Sequence, residues 1–372
     1  MLLAARARIT EISATDADVA GATIIDIREP HELAVGMLPG AVPLRMSELA
    51  KSIGTVAPDP TAKIVLYCAV GERSAIAAAM LEDLGYADVA SLGGGIKLWM
   101  AADRPTVAAS SLSSAQRHRY ARQLVLPGVG IEGQQLLIAA RIAIVGAGGL
   151  GSPAALYLTA AGVGMVSLID QDAVELSNLQ RQLLHGTGDI GRPKTDSGAE
   201  RIMSINPDVE VARHQTRLSA DNALEILAGH DVIIDGTDNF ATRYLINDAS
   251  LRLRIPVVHG SVFRFEGQVS VFHPYAGPCY RCLFPEPPPA DLAPNCAEAG
   301  VFGVVPGVVG ALQATEAIKL VVGVGDPLVG EMVTYDALDQ SMHKVRFLRD
   351  PQCESCGDED NPPALRDRAD YC

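Results

Sequence analysis

The sequence predicts an α/β protein of two consecutive domains, the second holding a metal site. Its 372 residues suit two or three domains at about 100–200 residues each. Short apolar runs bounded by turn residues alternate with helical patterns, as in parallel sheets. A glycine-rich segment, GAGGLG at 146–151, follows one such run. Two Cys-x-x-Cys pairs come later in the chain, at Cys279/Cys282 and Cys353/Cys356.

The first domain is expected to span residues 1–108, followed by a linker over 109–116. The apolar runs at 24–27 and 64–67 predict buried parallel strands. The segment 74–84 has the clearest helical pattern of this domain. Serine and alanine enrichment ahead of residue 114 indicates the linker. These elements predict a small α/β sheet.

The second domain is expected over 117–357, with a charged tail, 358–372, that we predict to be disordered. A proline cluster at 284–294 predicts an irregular loop. The remaining patterns predict strands at 141–145, 165–170, 231–235, 256–259 and 268–272, and helices at 152–161 and 308–321.

Composition limits the classes of function. No run of eighteen apolar residues occurs, so we expect no transmembrane helix, and the apolar N-terminal stretch is too short for a signal peptide. Seven cysteines favour metal or catalytic use in a reducing compartment, so we expect a cytoplasmic protein. The net charge of −14 argues against nucleic acid or membrane as partner.

The glycine segment indicates a Rossmann-like nucleotide site. Glycines between a strand and a helix let backbone N–H groups approach phosphate oxygens, and the helix N-terminus favours the anion. Asp170 follows at close to the offset typical of a carboxylate that binds ribose hydroxyls. A dehydrogenase or flavin site fits the segment alone equally well. The glycines concerned are Gly146, Gly148, Gly149 and Gly151.

Residues after the second strand favour a triphosphate over a nicotinamide. The segment SNLQRQ at 177–182 and Lys194 bring two cations and an amide, and nucleotidyl transfer depends on positioning and charge neutralisation. Asp238 follows a strand, where it is placed to hold Mg²⁺. The alternative for Asp238 and Asn239 is a turn or a helix N-cap.

These segments together resemble a known family. About two-thirds of the chain resembles the MoeB/ThiF/MoeZ adenylating enzymes, relatives of ubiquitin-activating enzymes. The segments that carry the resemblance are RYARQ, GAGGLGS, DQDAVELSNLQRQ, GRPK, DGTDN, RFEGQ, CYRC, NCAEAGV and CESCG. The resemblance implies ATP, Mg²⁺ and a homodimer in which Arg122 reaches the neighbour's phosphates. Its ATP-binding positions fall in the glycine segment and at Asp170, Ser177, Asn178, Leu179, Gln180, Arg181, Lys194, Asp238 and Asn239.

The resemblance also implies a substrate and a structural metal. The substrate would be the C-terminal Gly-Gly carboxylate of a ubiquitin-fold sulfur carrier protein (MoaD/ThiS-like), converted to an acyl-adenylate. Four thiolates in Cys-x-x-Cys pairs predict a closed, structural Zn²⁺ site, and the family binds zinc at these positions. Free or redox-active thiols are the alternative.

Cys68 stands between a predicted strand and a predicted helix. A loop of this length can surround the sulfur with backbone N–H groups, and the helix N-terminus and Arg73 add positive potential. All three should lower the pKa of the thiol and stabilise a persulfide. A buried structural cysteine is the alternative.

The predicted first domain resembles the rhodanese family. The resemblance rests on the segments IIDIREPHE, LPGAVPL, YCAVGERS and LGGGIKLWM. The resemblance implies that Cys68 carries the sulfane sulfur and that Asp26 and Arg28 are structural. Met37 stands where rhodaneses often have histidine. In MoeZ-type proteins the rhodanese usually follows the adenylating domain, whereas here it comes first. The sulfur donor would be thiosulfate or a cysteine-desulfurase persulfide.

Cys296, just past the proline cluster, is a further candidate nucleophile; an incidental loop cysteine is the alternative.

The predicted function is carrier adenylation followed by sulfur transfer from Cys68, which gives a thiocarboxylate. Three alternatives stay open. They are carrier activation with the rhodanese as a docking module, an NAD-dependent oxidoreductase, and a zinc-stabilised scaffold for ubiquitin-like proteins.

Overall fold

The computed structural model describes residues 2–15, 17–107, 112–287 and 300–367. Contacts divide the chain into two compact units, with the division between residues 132 and 133. The boundaries expected from the sequence, 1–108 and 117–357, stay predictions. Each unit contains its own β-sheet with helices packed on it. The predicted α/β class is therefore confirmed.

The first unit is built on a parallel sheet with strand order β1-β5-β4-β2-β3 among its described residues. In β4, Ile64 and Leu66 enter one buried cluster, whereas Val65 and Tyr67 enter another. Both faces of the strand are thus covered, which explains its continuous apolar run. The strands are β1 Thr10–Ser13, β2 Thr23–Asp26, β3 Val42–Pro43, β4 Lys63–Tyr67 and β5 Asp88–Gly93.

Helices connect these strands, and further helices follow the last strand along the chain. The predicted helix at 74–84 is observed as α3, which follows β4 directly after a short loop. The unit also contains a 3₁₀ helix, Pro30–Val35. The α-helices are α1 Leu2–Arg6, α2 Leu49–Val56, α3 Glu72–Asp83, α4 Gly95–Ala101, α5 Ser114–Arg119 and α6 Ala121–Leu124, and α7 Gly130–Ala139 crosses the division between the units.

The sheet of the second unit has the order β13-β12-β11-β10-β9-β6-β7-β8 within the described chain. Strands β10, β9, β6, β7 and β8 are parallel, and β11 to β13 are antiparallel. The strands are β6 Arg141–Val145, β7 Met165–Ile169, β8 Glu210–His214, β9 Val232–Asp235, β10 Val257–Phe263, β11 Glu266–Phe272, β12 Glu331–Asp336 and β13 Ser341–Arg346.

The register of this sheet determines where the loops meet. Val145 of β6 pairs with Ile169 of β7 and Asp235 of β9. The residues that follow these three strands therefore emerge side by side, as at the carboxyl edge of open α/β sheets. The helices are α8 Gly151–Ala161, α9 Lys194–Ile205, α10 Ala223–Leu227, α11 Phe240–Leu253, α12 Tyr280–Leu283 and α13 Val304–Val322.

Helix α13 is the long apolar helix that we predicted at 308–321. By length and composition its segment Val305–Val322 would suffice to cross a membrane, and half of that segment is buried. Val305, Val309, Ala314 and Ala317 enter the main buried cluster together with residues of β10 and β11. The apolar character of α13 is thus used in packing against the sheet.

Two segments that we predicted as irregular differ from the structure. Helix α5 begins at Ser114, inside the predicted linker 109–116. Just ahead of the linker, Pro105 accepts a hydrogen bond from Trp99 Nε1 at 2.8 Å, and Val107 pairs with Met37 through backbone hydrogen bonds. Residues 358–367, predicted as disordered, pack against the second unit through Leu365. The proline cluster beyond residue 287 and residues 368–372 lie outside the described residues.

Candidate active sites

The loop after β4 encloses Cys68. The side chain is fully buried, and its Sγ accepts hydrogen bonds from Gly71 N at 3.2 Å and Ser74 Oγ at 3.7 Å. Gly71 has φ +88°, and a Cβ there would lie 2.9 Å from Gly94 N. Only glycine fits this turn without strain. The predicted ring of donors around the sulfur is therefore present.

Opposing effects determine the acidity of Cys68. Burial raises the pKa of the thiol, whereas hydrogen bonds from Ser74 and from the backbone of Val70 and Gly71 lower it. The net result is a pKa below the ordinary cysteine value. A thiolate or persulfide anion is favoured by the same donors.

Arg73 pairs with a residue that we did not predict. Its guanidinium donates to Glu32 Oε2 at 2.7 Å and to Glu32 Oε1 at 2.5 Å. Glu32 comes from the 3₁₀ helix. Its place in the REPHE segment was visible in the sequence, but a pairing across 41 residues was not. The positive charge near Cys68 is thus shared with a carboxylate.

Asp26 and Arg28 form a buried pair, with Arg28 Nη2 at 2.6 Å from Asp26 Oδ2. Arg28 also donates to the carbonyls of Glu32 at 2.8 Å and Gly36 at 2.7 Å. These contacts fix the segment that carries Glu32. They agree with the structural role expected for Asp26 and Arg28.

A second site is a cavity of about 330 Å³ at the carboxyl ends of β6, β7 and β9. Eight of the residues predicted to bind ATP line this cavity, including both predicted cations of the segment after β7. They are Gly146, Gly148, Gly149, Asp170, Arg181, Lys194, Asp238 and Asn239.

The glycine loop forms the floor of the cavity by close backbone approach. Gly146 has φ +93°, and its N–H donates to Ile169 O at 2.8 Å. A Cβ at Gly151 would lie 1.9 Å from Gly146 O. Gly151 does not line the cavity, so its role is to let helix α8 begin against the loop.

Lys194 lies between two carboxylates. Its Nζ is 2.8 Å from Asp172 Oδ2 and 3.9 Å from Asp170 Oδ2. Asp170 also accepts hydrogen bonds from Ala147 N at 2.9 Å and Asp172 N at 2.8 Å. Burial raises the pKa of Asp170, and Lys194 and the backbone donors oppose that shift. Asp172 is a cavity residue that the site prediction missed, although it stands in the DQD segment.

Asp238 and Asn239 follow β9 and have different surroundings. Asn239 caps helix α11, because its side chain accepts a hydrogen bond from Thr242 N at 2.9 Å. The N-cap alternative thus applies to Asn239. Asp238 is exposed and lines the cavity, and a carboxylate there suits Mg²⁺. Three residues before Asp238, at the end of β9, Asp235 Oδ2 lies 2.7 Å from His259 Nδ1.

Part of the segment 177–182 points elsewhere. Asn178 Oδ1 accepts from Glu175 N at 3.0 Å within a turn, and Ser177, Leu179 and Gln180 are also absent from the cavity lining. Gln182 does line the cavity. It is 4% exposed, and its Oε1 has no hydrogen-bond partner within the described part of the chain. The segment thus contributes Arg181 and Gln182.

The four predicted metal ligands come together. The sulfurs of Cys279, Cys282, Cys353 and Cys356 all lie within 4.8 Å of one another, and three of the sulfur pairs are 3.4 to 3.9 Å apart. A tetrahedral Zn–S₄ centre with bonds of about 2.3 Å places its sulfurs ~3.8 Å apart. The residues present therefore fit zinc, which would join α12 to the segment after β13.

Two predicted residues stay predictions. Arg122 is exposed on α6, and its proposed reach to a partner's phosphates is a matter for the assembled dimer. Cys296 lies outside the described residues.

Comparison with known families matches both units. The ThiF family model covers residues 120–355, and the rhodanese-like domain model covers residues 11–102. The rhodanese-like region thus precedes the ThiF region, as the sequence indicated.

Individual relatives support these matches. A protein of Thermus thermophilus named sulfur carrier protein adenylyltransferase is 51% identical over 258 residues, which are 68% of this chain and 94% of that protein. A Mycobacterium tuberculosis protein named probable adenylyltransferase/sulfurtransferase MoeZ is 48% identical over 247 residues, 65% of this chain and 63% of that protein. The crystal structure of E. coli MccB with ATP superposes with a TM-score of 0.57 at 22% identity, over 64% of this chain and 75% of that chain, which shows a shared fold.

Proposed function

Because the chain belongs to the ThiF family and carries a rhodanese-like domain ahead of the ThiF region, we propose that it activates and then thiolates a sulfur carrier protein. The carrier would be a ubiquitin-fold protein that ends in Gly-Gly. The observation that carries the proposal is the cavity that brings together the glycine loop, Arg181, Lys194 and Asp238.

The first step is adenylation of the carrier. The glycine-loop N–H groups, Arg181 and Lys194 would bind and neutralise the phosphates of ATP, and Asp238 would hold Mg²⁺. The carrier's terminal carboxylate oxygen attacks the α-phosphorus, and pyrophosphate leaves. The product is an acyl-adenylate whose leaving group is AMP.

The second step transfers sulfur. The Cys68 thiolate attacks the sulfane sulfur of a donor, thiosulfate or a cysteine-desulfurase persulfide. Sulfite or the desulfurase thiolate leaves, and Cys68 becomes a persulfide. The terminal persulfide sulfur attacks the acyl carbon, AMP leaves, and an acyl disulfide joins Cys68 to the carrier. A thiol then attacks Cys68 Sγ, which releases the carrier thiocarboxylate and forms a disulfide with Cys68. Cys296 is our candidate for that thiol, and an external dithiol reduces the new disulfide.

The assembly and compartment are also proposed. A homodimer would allow Arg122 of one protomer to reach the phosphates bound by its partner. The cytoplasm is the compartment that best suits unpaired thiols in metal and catalytic roles. Four clustered cysteines support a structural Zn²⁺.

Separated assays test the division of labour. Cys68→Ala should abolish sulfur transfer and leave ATP–pyrophosphate exchange intact, because Cys68 belongs to the rhodanese-like domain. Asp238→Ala should remove the exchange itself. If Cys68→Ala supports full thiocarboxylate formation, the rhodanese-like domain is a docking module instead.

A further inference from the structure

Residues 358–367 form an extended segment that we call the C-terminal strap. It contains no helix or strand. At its start Glu359 Oε1 lies 2.5 Å from Arg254 Nη1, at the end of α11. Farther on, Pro363 O accepts a hydrogen bond from Arg252 Nη1 at 3.2 Å. The strap begins two residues after Cys356, so its first end adjoins the cluster of four cysteines.

The other end of the strap contacts the loop between β8 and α10, part of which lines the cavity at the carboxyl ends of β6, β7 and β9. Asp367 Oδ1 accepts a hydrogen bond from Ala220 N at 2.8 Å. Ala220 stands in the loop between β8 and α10, and Thr216, Arg217 and Leu218 of the same loop line the cavity. A backbone donor two residues from the cavity lining is thus held by the strap.

One buried cluster includes residues of both the loop and the strap. Leu218 is 4% exposed and belongs to a buried cluster on one side of the sheet. Leu365 of the strap and Ala220 pack against that cluster. Removal of Leu365 would take apolar area away from the cluster that holds Leu218, and the loop anchored in that cluster would gain conformational freedom.

We propose that the C-terminal strap positions the loop 216–220, whose residues 216–218 line the cavity, for nucleotide binding. Leu365 and Asp367 are positioning residues, since the strap's contacts are to the loop and helix α11 and none of its residues lines the cavity. The inference rests on the proposed function, in which this cavity binds ATP. A loop that must be ordered on binding weakens affinity by about 0.5–1.5 kcal/mol per immobilised side chain, or about twofold to tenfold.

The test compares two shortened chains. One ends at residue 360 and lacks the distal strap; the matched control ends at residue 369 and keeps it. The Kd for a non-hydrolysable ATP analogue should rise about twofold to tenfold in the first and stay unchanged in the control. Leu365→Ala and Asp367→Asn should shift the Kd in the same direction by less. In ATP–pyrophosphate exchange, the KM for ATP should rise while kcat at saturating ATP is kept.

Two further readouts separate positioning from general damage. Amide hydrogen exchange at Ala220 should accelerate in the chain ending at residue 360, whereas zinc content and the alkylation rate of Cys68 should not change. An unchanged Kd in that chain, when the full chain binds the analogue, overturns the strap proposal alone. Failure of the full chain to bind the analogue overturns the proposed function, and the strap proposal with it.

Discussion

Lys194 Nζ lies 2.8 Å from Asp172 Oδ2, and both residues line the cavity at the carboxyl ends of β6, β7 and β9. The lysine is 6% exposed, so its charge is little screened by solvent. Its position at the start of α9 follows from the turn that GRPK makes. A buried cation with carboxylate neighbours is pre-positioned for a phosphate that enters the same cavity.

Lys194→Ala should lower ATP–pyrophosphate exchange by about 100-fold, the usual cost of losing one pre-positioned donor. The matched control is Arg192→Ala on the same turn. Arg192 pairs with Asp189 and Glu200 and does not line the cavity, so exchange should stay near the wild-type rate. Equal losses in both variants would mean that net charge, and not the position of Lys194, determines the rate.

Ser74→Ala should raise the pKa of Cys68. The backbone and the hydroxyl of Ser74 both donate hydrogen bonds that stabilise the Cys68 thiolate. The variant loses the hydrogen bond from the hydroxyl. At pH 7 a smaller fraction of Cys68 is then ionised, so iodoacetamide alkylation should slow, and its pH midpoint should move upward. A midpoint that stays in place would show that the backbone donors alone fix the acidity.

Glu32→Gln should have the opposite effect on Cys68. The carboxylate neutralises Arg73 at 2.5 Å, and its removal leaves the full positive charge of Arg73 beside the sulfur. A nearby cation favours the thiolate, so the alkylation midpoint should move to lower pH. Because the ion pair between Glu32 and Arg73 is partly exposed, the free energy of unfolding should change by less than ~1 kcal/mol. A midpoint that rises instead would show that Glu32 acts by orienting Arg73.

Cys282→Ser should remove the metal and destabilise the larger unit. Loss of a structural zinc ligand should cost at least ~3 kcal/mol, which lowers Tm by roughly 6–12 °C for a unit of this size. Elemental analysis should find one zinc per wild-type chain and none in the variant. Cys68→Ala serves as the thiol control and should keep both metal and Tm.

The sequence predicted the elements that position the sites because those elements are buried on both faces. Strands β4, β6, β7 and β9 are continuous apolar runs, and their carboxyl ends carry Cys68, the glycine loop, Asp170 and Asp238. Strands β8 and β13 went unpredicted because most of their residues are half-buried or exposed, which leaves no continuous apolar signal.

Contacts between distant side chains could not be read from the sequence. Three contacts join segments far apart in the chain. They are Glu32 with Arg73, Lys194 with Asp172, and the strap with the loop at Ala220. The tail illustrates the difficulty, since its charge favoured a prediction of disorder. Leu365 and the backbone partner of Asp367 become decisive only once the folded surface exists.

The most direct test of the account is the intact mass of the carrier. The protein is incubated with Mg-ATP, thiosulfate, a dithiol and a panel of carriers that end in Gly-Gly, beside the Cys68→Ala variant. We predict that one carrier exchanges a single oxygen for sulfur with the wild-type chain and stays unchanged with the variant, although both release pyrophosphate. Unchanged carriers without pyrophosphate release, or equal thiolation by the variant, would contradict the account.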